Sequence, residues 1–519
     1  MQLILRGGTV IDGTGQPRVA ADVGIDHDRI VAVDRLGDAQ AAEVVDVTGL
    51  IVAPGFIDVH NHSDGWLLKN PHQQSKTSQG FTTEILMSDG ISYAPVSPEN
   101  AREWIYYLHS LDGLELSDYR GWQSIADYLA LLDRRVAQNV AAQVPYANVR
   151  VLAKGWDRSP PDDAQMRHMQ QLVDDALEAG AVGLSTGLDY ISQCFATTDE
   201  IVEVCEMLRL RQRVYATHVR YKKGVLAGVE EAVNIGRRAG IPVHISHLKC
   251  DSPAATEELM FFIERVAIRQ VDFSFDVYPY MPGSSMLSYF LPFDAWEDGP
   301  LKALEKLASP TIRRRFAAHL VHRSRPSLDK VRLAWVASKS NTHWQGRTLQ
   351  EFVDAIGKPA EDALCDLLID ENLAVLVVVH GADDRLIEPF LAHPRFMLGS
   401  DGIFFPGGMV HPRQFGSAPR ILGPMVRDRK LFSLEEAVRK MTSFPAERFG
   451  LTDRGVVRTG AFADLAIFNP DTIADQATYT DPQRPSTGIE HLLVNGQFVI
   501  RSGQPIFAFQ GDWPGRAIP

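Results

Sequence analysis

The stretch Pro54-Gly55-Phe56-Ile57-Asp58-Val59-His60-Asn61-His62-Ser63-Asp64 is an apolar run that ends in His-x-His. Residues two apart on a strand point to the same face, so the imidazoles of His60 and His62 converge on one point, as a metal requires. Neutral imidazole suits zinc, and the carboxylate of Asp58 is a candidate to orient one ring from behind. Two histidines at a strand end can also be plain surface residues. The reading therefore depends on what the other strands carry.

Three of them carry comparable groups. Tyr215-Ala216-Thr217-His218 and Val243-His244-Ile245-Ser246-His247 end in histidine, and Phe396-Met397-Leu398-Gly399-Ser400-Asp401 ends in aspartate. Strand-like runs recur at 51–59, 81–87, 148–153, 181–186, 213–217, 242–246, 271–277 and 395–400. Helical patterns such as 164–179, 199–210, 225–239 and 434–443 lie between some of them. That alternation predicts βα units and a parallel sheet, and eight strands predict an α/β fold of the (β/α)8 TIM-like barrel type. Such barrels place catalytic groups at the C-terminal ends of their strands. Core packing does not account for His60, His62, His218, His247 and Asp401 all falling at such ends.

The two chain ends read differently. Leu3-Ile4-Leu5, Thr9-Val10-Ile11 and Ile30-Val31-Ala32-Val33 are short strands near the start, and Ala463 to Phe468, Leu492 to Val494 and Phe498 to Ile500 repeat that texture, with Asn495-Gly496 as a hairpin turn. One β-sandwich built from both termini is expected, from residues 1–54 and 446–519. Residues 55–445 then form the barrel, with an insertion at about 287–345 that carries Arg313-Arg314-Arg315, read as a solvated helix face.

Composition narrows the class of function. With 519 residues, 45% hydrophobic and 23% charged, the chain is an ordinary globular protein, and its apolar runs are too short to span a membrane. A net charge of −13 without basic tracts argues against nucleic-acid partners, which leaves a small-molecule substrate. Four cysteines without paired spacing indicate neither a disulfide framework nor a thiolate zinc site, and fit a cytoplasmic protein. Homo-oligomerisation is left open.

In its motifs the chain resembles the amidohydrolase superfamily, and within it the D-aminoacylase or N-acyl-D-amino-acid deacylase group. The resemblance rests on PGFIDVHNHSD, SQGFTT, GAVGLSTGLDY, YATHVR, IPVHISHLK, DVYPY, LGSDG, HPRQFGSAPRILG, EEAVRKMTSFPAERFGL and RGVVRTGAFADLAIF. It implies a barrel with a composite sandwich, one or two zinc ions, and hydrolysis of an amide bond to a D-amino acid. His60 and His62 would hold one metal with Asp401, and Asp89, His218 and His247 the second. Asp401 would also act as general acid and base. These deacylases commonly carry a ligating cysteine after SQGFTT, whereas this chain reads Met87-Ser88-Asp89-Gly90, so Asp89 stands in its place. Zinc accepts carboxylate oxygen as well as sulfur.

Candidates to bind the substrate's carboxylate are Arg220, Lys249, Tyr278, Tyr280, Ser284, Ser285, Arg413 and Arg420, and the resemblance favours Lys249, Tyr280 and Arg413. Two other functions compete with deacylation. A hydantoinase- or dihydroorotase-like cyclic-amide hydrolase would need a carboxylated lysine, for which Lys154 is the nearest candidate. A catalytically silent scaffold would have lost its ligands.

Overall fold

The computed structural model describes residues 1–322, 326–381, 383–509 and 511–519. Eight parallel strands close a barrel: β1 (Phe56–Asp58), β2 (Phe81–Leu86), β3 (Asn139–Ala142, continuing as Val144–Pro145), β4 (Gly183–Gly187), β5 (Val214–His218), β6 (Val243–Ile245), β7 (Phe273–Val277) and β8 (Phe396–Leu398). β2 pairs with β1 and β3, and the order then runs from β3 through β7 to β8. Backbone hydrogen bonds close the seam between β8 and β1. Asp401 N–H donates to the His60 carbonyl at 2.7 Å, and His62 N–H donates to the Gly402 carbonyl at 3.0 Å. The fold thus ties His60, His62 and Asp401 together before any side chain is considered.

One expected strand is a helix. Residues 148–153 lie in Tyr146–Lys154, and the third strand precedes them. Val149 and Val151 alternate with Asn148 and Arg150 as in a half-exposed strand, but Asn148 and Arg150 are fully buried as well. Arg150 is held by Glu200 at 2.7 Å and by the carbonyls of Asp157 and Ser159. The true strand escapes notice because Asn139-Val140-Ala141-Ala142 has one β-branched residue, no aromatic and two alanines, which gives it little strand character. The outer helices Asp163–Glu178, Thr198–Arg209, Val225–Ala239 and Leu434–Met441 lie where the apolar periodicity puts them.

Both chain ends share one sheet. Its strand order joins Thr9–Val10, Val19–Ala20 and Ile51–Pro54 to Leu465–Phe468, Ile489–Val494, Gln497–Arg501 and Gln504–Pro505, with Leu465 opposite Pro54. It faces a four-stranded sheet of residues between Leu3 and Asp46, and the core between them mixes Leu5, Val23 and Ile25 with Leu465, Ile467 and Leu493.

The insertion expected at about 287–345 sits inside a longer excursion between β7 and β8, and residues 323–325 of it lie outside the described residues. Strands Gly283–Met286, Val331–Val336 and Val375–Val379 form an antiparallel sheet flanked by short helices. The arginine run lies on helix Pro310–Leu320, where Arg313 is not simply solvated but bonds Asp362 and Asp366 of a neighbouring helix.

Candidate metal centre

Six side chains meet at the C-terminal mouth of the barrel. His60 and His62 follow β1, Asp89 follows β2, His218 ends β5, His247 follows β6 and Asp401 follows β8. His60 Nε2 lies 3.5 Å from Asp89 Oδ1 and 3.8 Å from Asp401 Oδ1. His62 Nε2 lies 3.2 Å from Asp401 Oδ1 and 3.8 Å from Asp89 Oδ2. His247 Nε2 lies 3.8 Å from Asp89 Oδ1 and 3.1 Å from His218 Nδ1. Two compact sets of possible metal ligands result, His60 with Asp89 and His247, and His60 with His62 and Asp401.

The donors fit a metal. His60 Nε2 and Asp89 Oδ1 are buried yet have no hydrogen-bond partner in the protein, a costly state for groups that nothing else binds. Asp89, His247 and Asp401 have φ of 59°, 38° and 47°, a left-handed conformation that few non-glycine residues adopt. The Asp89 turn is pinned from β4 and the loop after it. Ser185 Oγ donates to the Met87 carbonyl at 2.6 Å, and Gln193 Nε2 donates to the Asp89 carbonyl at 2.8 Å.

Carboxylates stand behind the rings. Asp276, at the end of β7, lies 3.6 Å from His60 Nδ1 and accepts from His244 Nε2 at 2.9 Å and from the His247 N–H at 2.8 Å. Asp112 lies 3.3 Å from His62 Nδ1, and Asp189 lies 3.5 Å from His218 Nε2. Burial opposes protonation of His62, but its bonds to Asp112 and Asp401 outweigh that and raise its pKa to about 9. The negative charge that would draw a proton onto the ring also favours a dication in its place. Burial by itself would raise the Asp401 pKa, but the Arg413 guanidinium, 2.9 Å away, and the surrounding histidines hold it well below the usual carboxylate range.

Asp58 does not orient a histidine. It accepts from Lys76 Nζ at 2.5 Å, from the Ser400 N–H at 2.8 Å and from the Ser400 hydroxyl at 2.5 Å, and so anchors the turn that carries Asp401.

The expected substrate-binding residues divide. Arg413 and Lys249 both pack on the Tyr278 ring, each 4.4 Å from its centroid, and Lys249 Nζ donates to Tyr278 Oη at 2.5 Å. Burial and then the Arg413 charge lower Lys249 to about 7. Tyr280 lies elsewhere. Its hydroxyl faces Asp475 and its ring packs against His411 and under Arg420. Arg420 itself bonds Asp384 and Asp475. Arg220 is an internal strut, with its guanidinium spent on Glu231 and on the carbonyls of Leu188, Cys194 and Ala196. Ser285 is half-buried in strand Gly283–Met286 opposite Val377, and the hydroxyl of its neighbour Ser284 bonds the Val377 carbonyl. Lys154 bonds Asp157, away from the cluster, and His380 packs on Tyr479.

Asp112, Asp189 and Asp276 are absent from the expected site. Asp276 had a visible signal, since it ends a barrel strand in DVYPY. Asp112 had none, being the last residue of helix Ala101–Asp112.

The pattern that describes the amidohydrolase family matches residues 43–500, nearly the whole span from the sandwich through the barrel. The chain belongs to the amidohydrolase family. This amidohydrolase is 36% identical to a D-aminoacylase of Alcaligenes xylosoxydans xylosoxydans, over 99% of its own length and 97% of that protein. Among solved structures it is similar to an N-acyl-D-glutamate deacylase from Bordetella bronchiseptica, complexed with zinc and a phosphonate that mimics the tetrahedral intermediate. That likeness has a TM-score of 0.83 and 33% identity, and covers 100% and 99% of the two chains. A D-aminoacylase described by its binuclear metal centre gives a TM-score of 0.83 at 35% identity, with the same coverage. Among the described residues, no helix of the amidohydrolase is long and apolar enough to cross a membrane.

Proposed function

We propose that this amidohydrolase is a zinc-dependent N-acyl-D-amino-acid deacylase. The observation that carries the reading is the adjacency of two groups, the His/Asp cluster and the pair of cations on Tyr278, joined by the contact of Arg413 with Asp401 at 2.9 Å. The full-length likeness to deacylases supports it.

His60, His62 and Asp401 would hold one zinc ion, and Asp89, His247 and, beside it, His218 a second, with the two Asp89 oxygens near His60, His62 and His247. Zinc, when bound, supplies Lewis acidity toward the amide carbonyl and the attacking water. Asp401 accepts the proton of that water and returns it to the leaving nitrogen, from a position next to His62 and Arg413. Arg413 and Lys249 hold the substrate's carboxylate, the guanidinium with its paired N–H groups and the ammonium as a point charge, and Tyr278 fixes their spacing.

Lys154, bonded to Asp157 at the end of its helix, gives no support to the carboxylated-lysine alternative, and the full set of six side chains gives none to a silent scaffold. The sandwich is assigned to residues 1–54 and 446–519, and the hydrolase barrel to 55–445. The four buried, unpaired cysteines are in keeping with a reducing cytoplasm.

Hydrolysis of a panel of N-acetyl and N-formyl D- and L-amino acids, together with cyclic imides, tests the reading alongside zinc analysis of the purified protein. Selective turnover of the N-acyl-D-amino acids is expected. Turnover of the cyclic compounds alone, or full activity with only traces of transition metal, would overturn it.

A further inference from the structure

Asp189 follows β4, and its side chain is 1% exposed. One carboxylate oxygen, Oδ2, gathers three groups from two parts of the chain, the end of β5 and the inserted segment. It accepts from the Lys222 N–H at 3.0 Å, just past β5, and from the Tyr289 hydroxyl at 3.1 Å, and it lies 3.5 Å from His218 Nε2. The opposite nitrogen of that ring, Nδ1, is the one that faces His247. A histidine that binds metal through one nitrogen carries its proton on the other, and the acceptor for that proton sets the ring's tautomer and angle.

Tyr289 belongs to the excursion between β7 and β8, on the turn Leu287–Phe290. Its ring lies 6.1 Å from His218 and 5.5 Å from Tyr190, so this turn is seated against the wall of the cluster. Lys222 strengthens the seat, with its ammonium 4.3 Å from the Tyr289 ring and donating to the Tyr289 carbonyl at 2.9 Å. The inserted segment and a candidate metal ligand therefore share one carboxylate oxygen.

We propose that Asp189 is a positioning residue that couples the two. It fixes the His218 ring so that Nδ1 faces the metal, and it latches the inserted segment over the centre through Tyr289. This rests on the reading of His218 as a zinc ligand. A disturbance of the latch is then felt in metal binding, and a disturbance of the ring is felt in how the insertion covers the substrate.

The test combines zinc affinity, measured by chelator competition on metal-stripped protein, with steady-state kinetics on an N-acetyl-D-amino acid. Asp189→Ala should weaken zinc binding about 10–100-fold, the usual effect of removing a partner behind a metal ligand, and should raise KM. Asp189→Asn keeps an acceptor oxygen in the same place and should lose less. Tyr289→Phe should raise KM and weaken zinc binding by less than Asp189→Ala does, and its KM rise should vanish when it is combined with Asp189→Ala. A folded Asp189→Ala variant with parental zinc affinity, or KM effects of the two substitutions that simply multiply, would overturn the proposal. If Asp189→Ala does not fold, Asp189→Ser is read by the same criteria. A parent that binds zinc and turns over substrate, with both variants behaving like it, overturns only this coupling. A parent that does neither overturns the deacylase reading.

Discussion

Asp401→Asn removes the proton-accepting carboxylate while keeping the size of the side chain. The amide has the shape of the carboxylate, and its oxygen still lies beside Arg413 and His62. It cannot take a proton from water at neutral pH. The loss of a positioned general acid and base predicts a fall in kcat of about 100- to 10,000-fold. That corresponds to about 2.7–5.4 kcal/mol in activation free energy. The substitution also removes a charge from the buried contact with Arg413. At 2.9 Å and an effective dielectric of about 20 the lost attraction is about 6 kcal/mol, and the stability cost of unpairing such a buried partner is about 3–5 kcal/mol. KM should stay near the parental value, because Arg413, Lys249 and Tyr278 are untouched. Steady-state kinetics at saturating zinc, with zinc content and urea denaturation measured on the same preparation, separate these effects. A variant that keeps more than about a tenth of the parental kcat would refute Asp401 as the proton carrier.

Asp89→Cys should retain zinc and bind cadmium more tightly than the parent in competition, because thiolate favours softer ions, whereas Asp89→Ala should lose metal; unchanged metal content in the alanine variant would show that Asp89 is not a ligand. His72 is held neutral by burial, which lowers its pKa to about 4 from an ordinary 6.5, with its nitrogens bonded to the Ile506 carbonyl and to Thr77. Its contribution is complete above pH 6.5 and is lost as pH falls toward 4, up to about 3 kcal/mol, so urea midpoints measured across that window should flatten in His72→Gln. Lys76→Met leaves the buried carboxylates of Asp58 and Glu84 without their cation and should cost about 3–5 kcal/mol in chemical denaturation, with Asp401 misplaced through Ser400.

The barrel was legible because its strand ends carry chemistry. Histidine and aspartate at the close of an apolar run are conspicuous, and each of the six expected cluster residues is placed at the mouth. What escaped was decided by contacts between distant segments. Asn139–Ala142 has weak strand character and is fixed by its pairing with β2, while the Tyr146–Lys154 helix buries an arginine whose partner, Glu200, lies fifty residues on. Tyr278 and Tyr280 sit in one short motif, and nothing local says which turns toward Lys249. Arg220, beside His218, looks equally available until Glu231 and three carbonyls are seen to occupy it.

The sheet shared by both chain ends sets an order for folding during synthesis. Strand Ile51–Pro54 cannot complete its pairing until Leu465–Phe468 has been made, about 400 residues and roughly 20–80 s later at typical translation rates. Through that interval the nascent chain presents an open, apolar strand edge of the kind that recruits other chains. Faster translation, or a chaperone occupying that edge, should raise the soluble yield, and a chain cut before Leu465 should aggregate even though its barrel strands are all present.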